Sequence, residues 1–245
     1  MRYLIGIDDT DNAESRGTGY RARTLGDALA ADGLAAVQGI TRHQLLVAPG
    51  IPYTSHNSSA CLLVDLSVDV ATVASCCRDF LLRECAPGSD AGLCITAWDA
   101  VRPTVEAFGS RAKREILTAA EALVLAQTEG LLLEGLTGDH GGVIGALAAV
   151  GLRASGEDGR FIWLRGIREV SGIHRAEALY QLTGIQEIRT LDGAPVPATA
   201  DVDLGTWFRP VLSQGQAVLL VENMASESGY YWCVAAKEAI KARSN

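Results

Sequence analysis

The sequence predicts a mixed α+β fold, with strands and helices alternating up to Val150 and the pattern loosening after Gly151. Three observations carry that expectation. Tyr3 to Ile7 is a short apolar run that ends abruptly in Asp8-Asp9-Thr10-Asp11-Asn12, the pattern of a buried strand delivering polar groups at its C-terminal end. Ala22, Leu25 and Leu29 then fall at helical spacing. Further on, Ala60 to Leu66, Val70 to Phe80 and Gly92 to Ile95 read as strand, helix and strand, a βαβ unit.

The first helix follows a polar loop closing at Gly17-Thr18-Gly19 and meets a stop at Asp32-Gly33. A second strand lies within Ala36 to Ala48, and Pro49-Gly50-Ile51-Pro52 marks a rigid turn into the polar stretch Tyr53 to Ser59. In the βαβ unit, Val70, Val73, Cys77 and Phe80 share one helix face. Pro103 to Gln127 reads as mostly helical, with Ile116, Ala120 and Leu123 at core spacing, and Gly130 to Gly135 holds a short apolar strand. The stretch Gly138-Asp139-His140-Gly141-Gly142 opens a strongly apolar helix from Val143 to Val150. Beyond it the expected elements are a strand near Phe161 to Leu164, a helix near Arg175 to Leu182 and a strand at Ala217 to Val221.

A chain of 245 residues, 48% hydrophobic, can build one large core or two small ones. Its net charge of −8 repels phosphate over most of the surface, so any nucleic-acid contact must be a local patch. Cys61, Cys76, Cys77, Cys85, Cys94 and Cys233 form no C-x-x-C pair, nothing resembling a signal peptide precedes Tyr3, and no apolar run approaches the ~20 residues of a membrane span. The expected location is the cytoplasm, with reduced thiols and no membrane contact. None of Lys113, Lys237 and Lys241 follows a glycine, which excludes a Walker-type phosphate loop.

Asp8, Asp9 and Asp11 crowd three carboxylates into four residues. Like charges ~4 Å apart repel by roughly 4 kcal/mol at an effective dielectric of 20, and a divalent cation removes that cost. Hard oxygen donors suit Mg²⁺ or Mn²⁺, which bind one or two carboxylates together with water and substrate phosphates. A solvated Asp-rich turn explains the same residues. Asp9-x-Asp11 after an apolar strand also matches the nucleophile loop of Asp-dependent phosphatases, although Ala13 stands where their Thr is expected. Gly17 and Gly19, beside a helix N-terminus, leave N–H groups for an anion, while Thr18 either caps that helix or faces a phosphate.

Tyr53 to Ser59 is an unbroken run of hydrogen-bonding side chains, in which His56 and Asn57 offer donors to a phosphate or nucleoside; a solvated loop is the plainer alternative. Gly138 to Gly142 is either a second phosphate cradle or a tight turn that lets helix and strand approach closely.

Ile5-Gly6-Ile7-Asp8-Asp9-Thr10-Asp11 with Gly17-Thr18, then Gly50-Ile51-Pro52-Tyr53, then Gly142-Val143-Ile144-Gly145-Ala146-Leu147 resembles, in the same order, the archaeal isoleucine-tRNA agmatinylcytidine synthetase family. The resemblance covers about Met1 to Gly151 and implies a kinase-like α/β domain with a ferredoxin-like βαβ domain. The expected partition is 1–60 with 128–170 for the first and 61–127 with 171–245 for the second. It further implies Mg²⁺- and ATP-dependent phosphoryl transfer to an oxygen of a nucleoside-like or small acceptor, followed by attack of an amine. Asp8, Asp9 and Asp11 would hold the metal. Thr18 matches a threonine that becomes phosphorylated, and Thr10, Gly17, Gly19, His56, Asn57 and Gly142 would contact the nucleotide. The family's OB-fold and zinc-ribbon segments have no counterpart in this sequence, and Thr54, His56 and Gly141 stand where it has basic residues, so tRNA is a less favoured acceptor and a non-catalytic nucleotide sensor is the alternative. A homodimer is compatible with the sequence.

Overall fold

In the computed structural model, which describes every residue except Pro52, Ser55, Glu227, Ser228 and Asn245, the chain divides by its internal contacts into Met1–Ser155 and Gly156–Asn245. Pro52 of the expected turn and Ser55 of the polar stretch thus lie outside the described residues. The protein is mixed α+β, with seven α-helices and twelve strands among the described residues. Among those residues no helix is long and apolar enough to cross a membrane.

The first unit opens with β1 (Arg2–Asp8), α1 (Thr18–Ala31), β2 (Ala35–Gln44), β3 (Ser58–Leu66), α2 (Val70–Glu84) and β4 (Gly92–Ala97). Their strands lie in the order β4-β1-β3-β2 with every neighbouring pair antiparallel. β3 and β4 therefore run parallel on either side of β1, and the expected βαβ unit is split around the first strand. This is the β-α-β-β-α-β arrangement of a ferredoxin-like sheet. It begins at β1 because Tyr3 to Ile7 hydrogen-bond to β3 on one side and β4 on the other. The acidic strand end consequently sits at the centre of this sheet, and the division at Ser155 is contiguous where the sequence suggests two interleaved parts.

The unit continues with α3 (Pro103–Ala112), α4 (Ala119–Glu129), the edge strand β5 (Leu132–Gly135) against β4, and α5 (Val143–Ser155). Leu4, Ile5 and Ile7 are fully buried because helices cover both sheet faces. α1 buries Ala22, Leu25 and Leu29, and its Gly26 lets Ile40 and Leu62 approach. On the opposite face, α5 crosses Gly6, where an added Cβ would lie 2.2 Å from the Ala146 carbonyl oxygen. α5 is apolar all round because the sheet lies on one side and α3 and α4 on the other. Caps set the other ends: the Asp69 carboxylate accepts the Thr72 N–H at 2.9 Å ahead of α2, and Thr118 and Glu121 form a reciprocal capping box before α4.

One expectation is corrected here. The helical stretch from Pro103 to Gln127 is two helices, and Ile116, Ala120 and Leu123 are exposed, whereas Leu117, Ala122 and Ala126 enter the core. The break before Thr118 resets the helical phase, so a single periodicity drawn through both segments picks the wrong face.

The second unit holds β6 (Arg160–Trp163), β7 (Ile173–Arg175), α6 (Ala176–Leu182), β8 (Glu187–Thr190), β9 (Asp201–Asp203), β10 (Val211–Ser213), β11 (Gln216–Ser226), β12 (Gly229–Val234) and α7 (Lys237–Ser244). Its strands run β6-β10-β11-β12-β9-β7, with β8 parallel to β11. Phe161, Leu179, Ile188, Phe208 and Leu219 fill its core. The strands expected near Phe161 and Ala217 and the helix near Arg175 are present as β6, β11 and α6.

Candidate functional site

The candidate site forms where β1 ends. The chain leaves Asp8 through Asp9, which adopts a left-handed backbone with φ of 51°, a conformation that Asp tolerates better than most residues. That turn sends Thr10 inward, where it is fully buried and its carbonyl accepts the Ala86 N–H at 3.1 Å. Asp11 then folds back on the start of α1. Its Oδ1 accepts both the Thr18 N–H at 3.0 Å and the Thr18 hydroxyl at 2.9 Å, and its Oδ2 accepts the Thr54 hydroxyl at 2.7 Å. Gly17, at the N-cap position, has no side chain to cap α1, so Asp11 supplies the anion from seven residues away. Asn12 braces the same loop by donating from Nδ2 to the Pro87 carbonyl at 3.1 Å.

The other wall is the start of α5. A Cβ at Gly145 would fall 1.7 Å from Asp8 Oδ2, and one at Gly142 would fall 2.4 Å from the Asp90 carbonyl oxygen. These glycines let the helix press against the carboxylate and the entry to β4. The N–H groups of the second glycine loop are engaged by Asp90 and Asp139: Asp139 N–H donates to Asp90 Oδ1 at 2.8 Å, Gly141 N–H to Asp139 Oδ1 at 2.9 Å, and Gly142 N–H to the Asp90 carbonyl at 2.8 Å. Of the two sequence-level readings of this loop, close approach is therefore what Gly142 itself serves.

Five carboxylates thus gather around the strand end, and the electrostatics follow from their crowding. Burial pushes the Asp8 carboxyl up to about 8, with the Asp9 charge adding to it. Asp9 rises to about 6, first through burial and then through Asp90, Asp11 and Asp139. Among the described residues no Lys or Arg lines the two adjoining clefts around these groups. One, of about 260 Å³, is polar and bordered by Asp11, Thr18, Tyr53, Thr54, His56 and Ser58. The other, of about 290 Å³, has an apolar wall of Leu45, Ile51, Ile116, Leu117 and Ile144 with Glu115 at its edge. Asp8, Asp9, Asn57 and Asp90 border both.

Of the residues singled out from sequence, Asp8, Asp9, Asp11, Thr18, His56 and Asn57 come together here. Asn57 also holds its loop against the segment that follows β2, donating from Nδ2 to the Leu46 carbonyl at 2.6 Å. Thr10 lies beneath the cleft floor and borders neither cavity. Gly17 and Gly19 also stand outside both linings: Gly17 precedes α1, and the Gly19 carbonyl accepts the Arg23 guanidinium at 2.9 Å. Among the described residues no three His, Cys, Asp or Glu side chains form a ready ligand set for one ion, since Asp11 turns toward Thr18 and Thr54. Asp90 and Asp139 escape sequence reading because they lie on loops far along the chain. The only local signals were Asp90 just before an apolar strand and Asp139 inside a glycine run.

No family model matches the chain. An uncharacterized protein of Methanocaldococcus jannaschii is 29% identical over 155 residues, which cover 62% of this chain and 50% of that protein. Among solved structures, the chain is similar to TiaS, a tRNA agmatidine synthetase, in complex with tRNA and ATP, with a TM-score of 0.55 and 28% identity over 62% of this chain and 36% of that one. The TiaS complex with tRNA, AMPCPP and agmatine gives a TM-score of 0.54 and 26% identity over the same shares. The chain thus spans half the length of the curated relative and about a third of the solved chains. What these likenesses show is a TiaS-like fold over the matched part of the chain.

Proposed function

We propose that this protein is an ATP- and Mg²⁺-dependent phosphoryl-transfer enzyme in which Thr18 meets the γ-phosphate. The observation that carries this reading is the Thr18 hydroxyl on the wall of the polar cleft, 2.9 Å from the Asp11 carboxylate, beside the carboxylates of Asp8 and Asp9. A carboxylate at hydrogen-bond distance from a hydroxyl is the arrangement that takes up its proton as the oxygen attacks phosphorus. The similarity to proteins crystallised with ATP and AMPCPP supports the nucleotide.

Asp8 and Asp9 have the donor chemistry that Mg²⁺ uses, two hard oxygen groups whose mutual charge and burial favour a counter-cation. When bound, Mg²⁺ would neutralise phosphate charge. His56 and Asn57 then lie on the cleft side where a nucleotide or acceptor would enter. The acceptor in this reading is a nucleoside-like or small molecule activated at an oxygen for displacement by an amine. tRNA, the partner of the similar structures, is less favoured because among the described residues no Lys or Arg lines either cleft.

That same lining favours one second reading, a nucleotide sensor that binds without turnover. Incubation of the full chain with γ-labelled ATP and Mg²⁺ separates the two. Label on Thr18 or released phosphate is the expected result; Mg²⁺-dependent ATP binding with neither would leave the sensor reading standing. Hydrolysis of a phosphomonoester without nucleotide would instead return an Asp-dependent phosphatase.

A further inference from the structure

We infer that Thr10 is a positioning residue for the Thr18 hydroxyl and does not contact the nucleotide. The inference rests on the reading of Thr18 as phosphoryl acceptor and adds a residue to it. Thr10 is fully buried and borders neither cleft. Its hydroxyl donates to Thr18 Oγ1 at 3.2 Å, and its backbone N–H points at the same oxygen from 3.5 Å. Thr18 in turn donates its own proton to Asp11 Oδ1 at 2.9 Å. The three groups form a directed chain, Thr10 to Thr18 to Asp11, with Thr18 in the middle.

The chain direction has a chemical consequence. In the transfer, the Thr18 proton passes to Asp11 Oδ1, an Oγ1 electron pair forms the new bond to the γ-phosphorus, and the bond from that phosphorus to the bridging oxygen breaks, with its electrons leaving on ADP. Negative charge gathers on Oγ1 as the proton departs. The groups facing that oxygen from its acceptor side are the Thr10 hydroxyl and N–H, two donors that need no rearrangement to stabilise it. They also fix the rotation of the Thr18 hydroxyl, so that its hydrogen lies on the carboxylate. Asp9 makes this possible, since its left-handed turn aims Thr10 inward, and the bond from Ala86 N–H to the Thr10 carbonyl holds it there.

A buried threonine that merely satisfies its hydroxyl would affect stability alone, and a nucleotide contact would affect ATP affinity. The test is therefore the rate and ATP dependence of Thr18 labelling in the full chain with γ-labelled ATP and Mg²⁺, for wild type, Thr10→Val and Thr10→Ser. In Thr10→Val the saturated labelling rate should fall roughly 10-fold to 100-fold, the range below the loss of a full oxyanion donor, with the half-saturating ATP concentration unchanged within about twofold. Thr10→Ser, which keeps the donor, should label close to the wild-type rate. Should the valine variant fail to fold, Thr10→Ala is read in the same way. An unchanged rate in the variant lacking the hydroxyl, or a loss that appears as raised half-saturating ATP, overturns the inference while leaving Thr18 as acceptor. No label on wild-type Thr18 removes the acceptor role and overturns this inference, while phosphate released without that label leaves the phosphoryl-transfer reading standing.

Discussion

Gly145→Ala tests whether the start of α5 lies against Asp8 only because residue 145 carries no side chain. The added Cβ would stand 1.7 Å from Asp8 Oδ2, 2.4 Å from its Cγ and 2.9 Å from its Cβ, so the carboxylate or the helix must move. α5 has little freedom to yield, because Gly6 meets the Ala146 carbonyl and Gly92 meets Gly142 at similar closeness. Overpacking of this kind typically costs about 1–3 kcal/mol. For a chain of this size that lowers Tm by roughly 2–4 °C per kcal/mol. The informative measurement is a double-mutant cycle with Asp8→Ala, read by urea unfolding. Asp8→Ala removes the two nearest clashing atoms and leaves the Cβ at 2.9 Å, so most of the cost of Gly145→Ala should vanish in that background. Additive costs would refute the reasoning, since they would mean that the methyl group meets something other than the carboxylate.

Three further outcomes are expected. Metal-free protein should lose stability as pH rises from about 4 to 8, because the raised folded-state pKa values of Asp8 and Asp9 keep protons on the native protein that the unfolded chain has released; the change is on the order of a few kcal/mol, Asp8→Asn should flatten it, and thermal unfolding across that range measures both. Asp9→Asn should abolish Mg²⁺-dependent ATP binding, visible as loss of the nucleotide-induced rise in Tm, which reports a stabilisation of about 2.7 kcal/mol at 100 times Kd; an undiminished rise would falsify the assignment of Asp9 to the metal. Thr118→Ala should cost about 1 kcal/mol by removing one half of the capping box of α4, and an unaltered urea midpoint would show that the tertiary contacts of α4 carry its N-terminus.

Much of the first unit was legible in the sequence because its information is local. Ala22, Leu25 and Leu29 repeat with the helical period, and all three are buried in α1. Tyr3 to Ile7 is an apolar run that ends in carboxylates, and β1 ends on Asp8. Where the local signal is mixed, periodicity picks the wrong residues: Ile116 and Leu123 obey one period across a break that Thr118 marks, and both are exposed. The second unit was less legible since β7, β9 and β10 are three residues each, too short to show any alternation.

The sequence by itself determined the mixed α+β class, the elements of the first unit and the acidic end of its first strand. Tertiary structure decided what that strand end meets. Antiparallel pairing of β1 with β4 brings Asp90 beside Asp9, and the packing of α5 against Gly6 and Gly92 brings in Asp139 and presses Gly145 onto Asp8. It also decided that Asp11 turns to Thr18 and Thr54, and that Thr10 faces Thr18 instead of the cleft. The physical reason is that periodicity encodes which face of an element is apolar, whereas the partner of a carboxylate depends on strand register and helix approach between residues far apart in the chain.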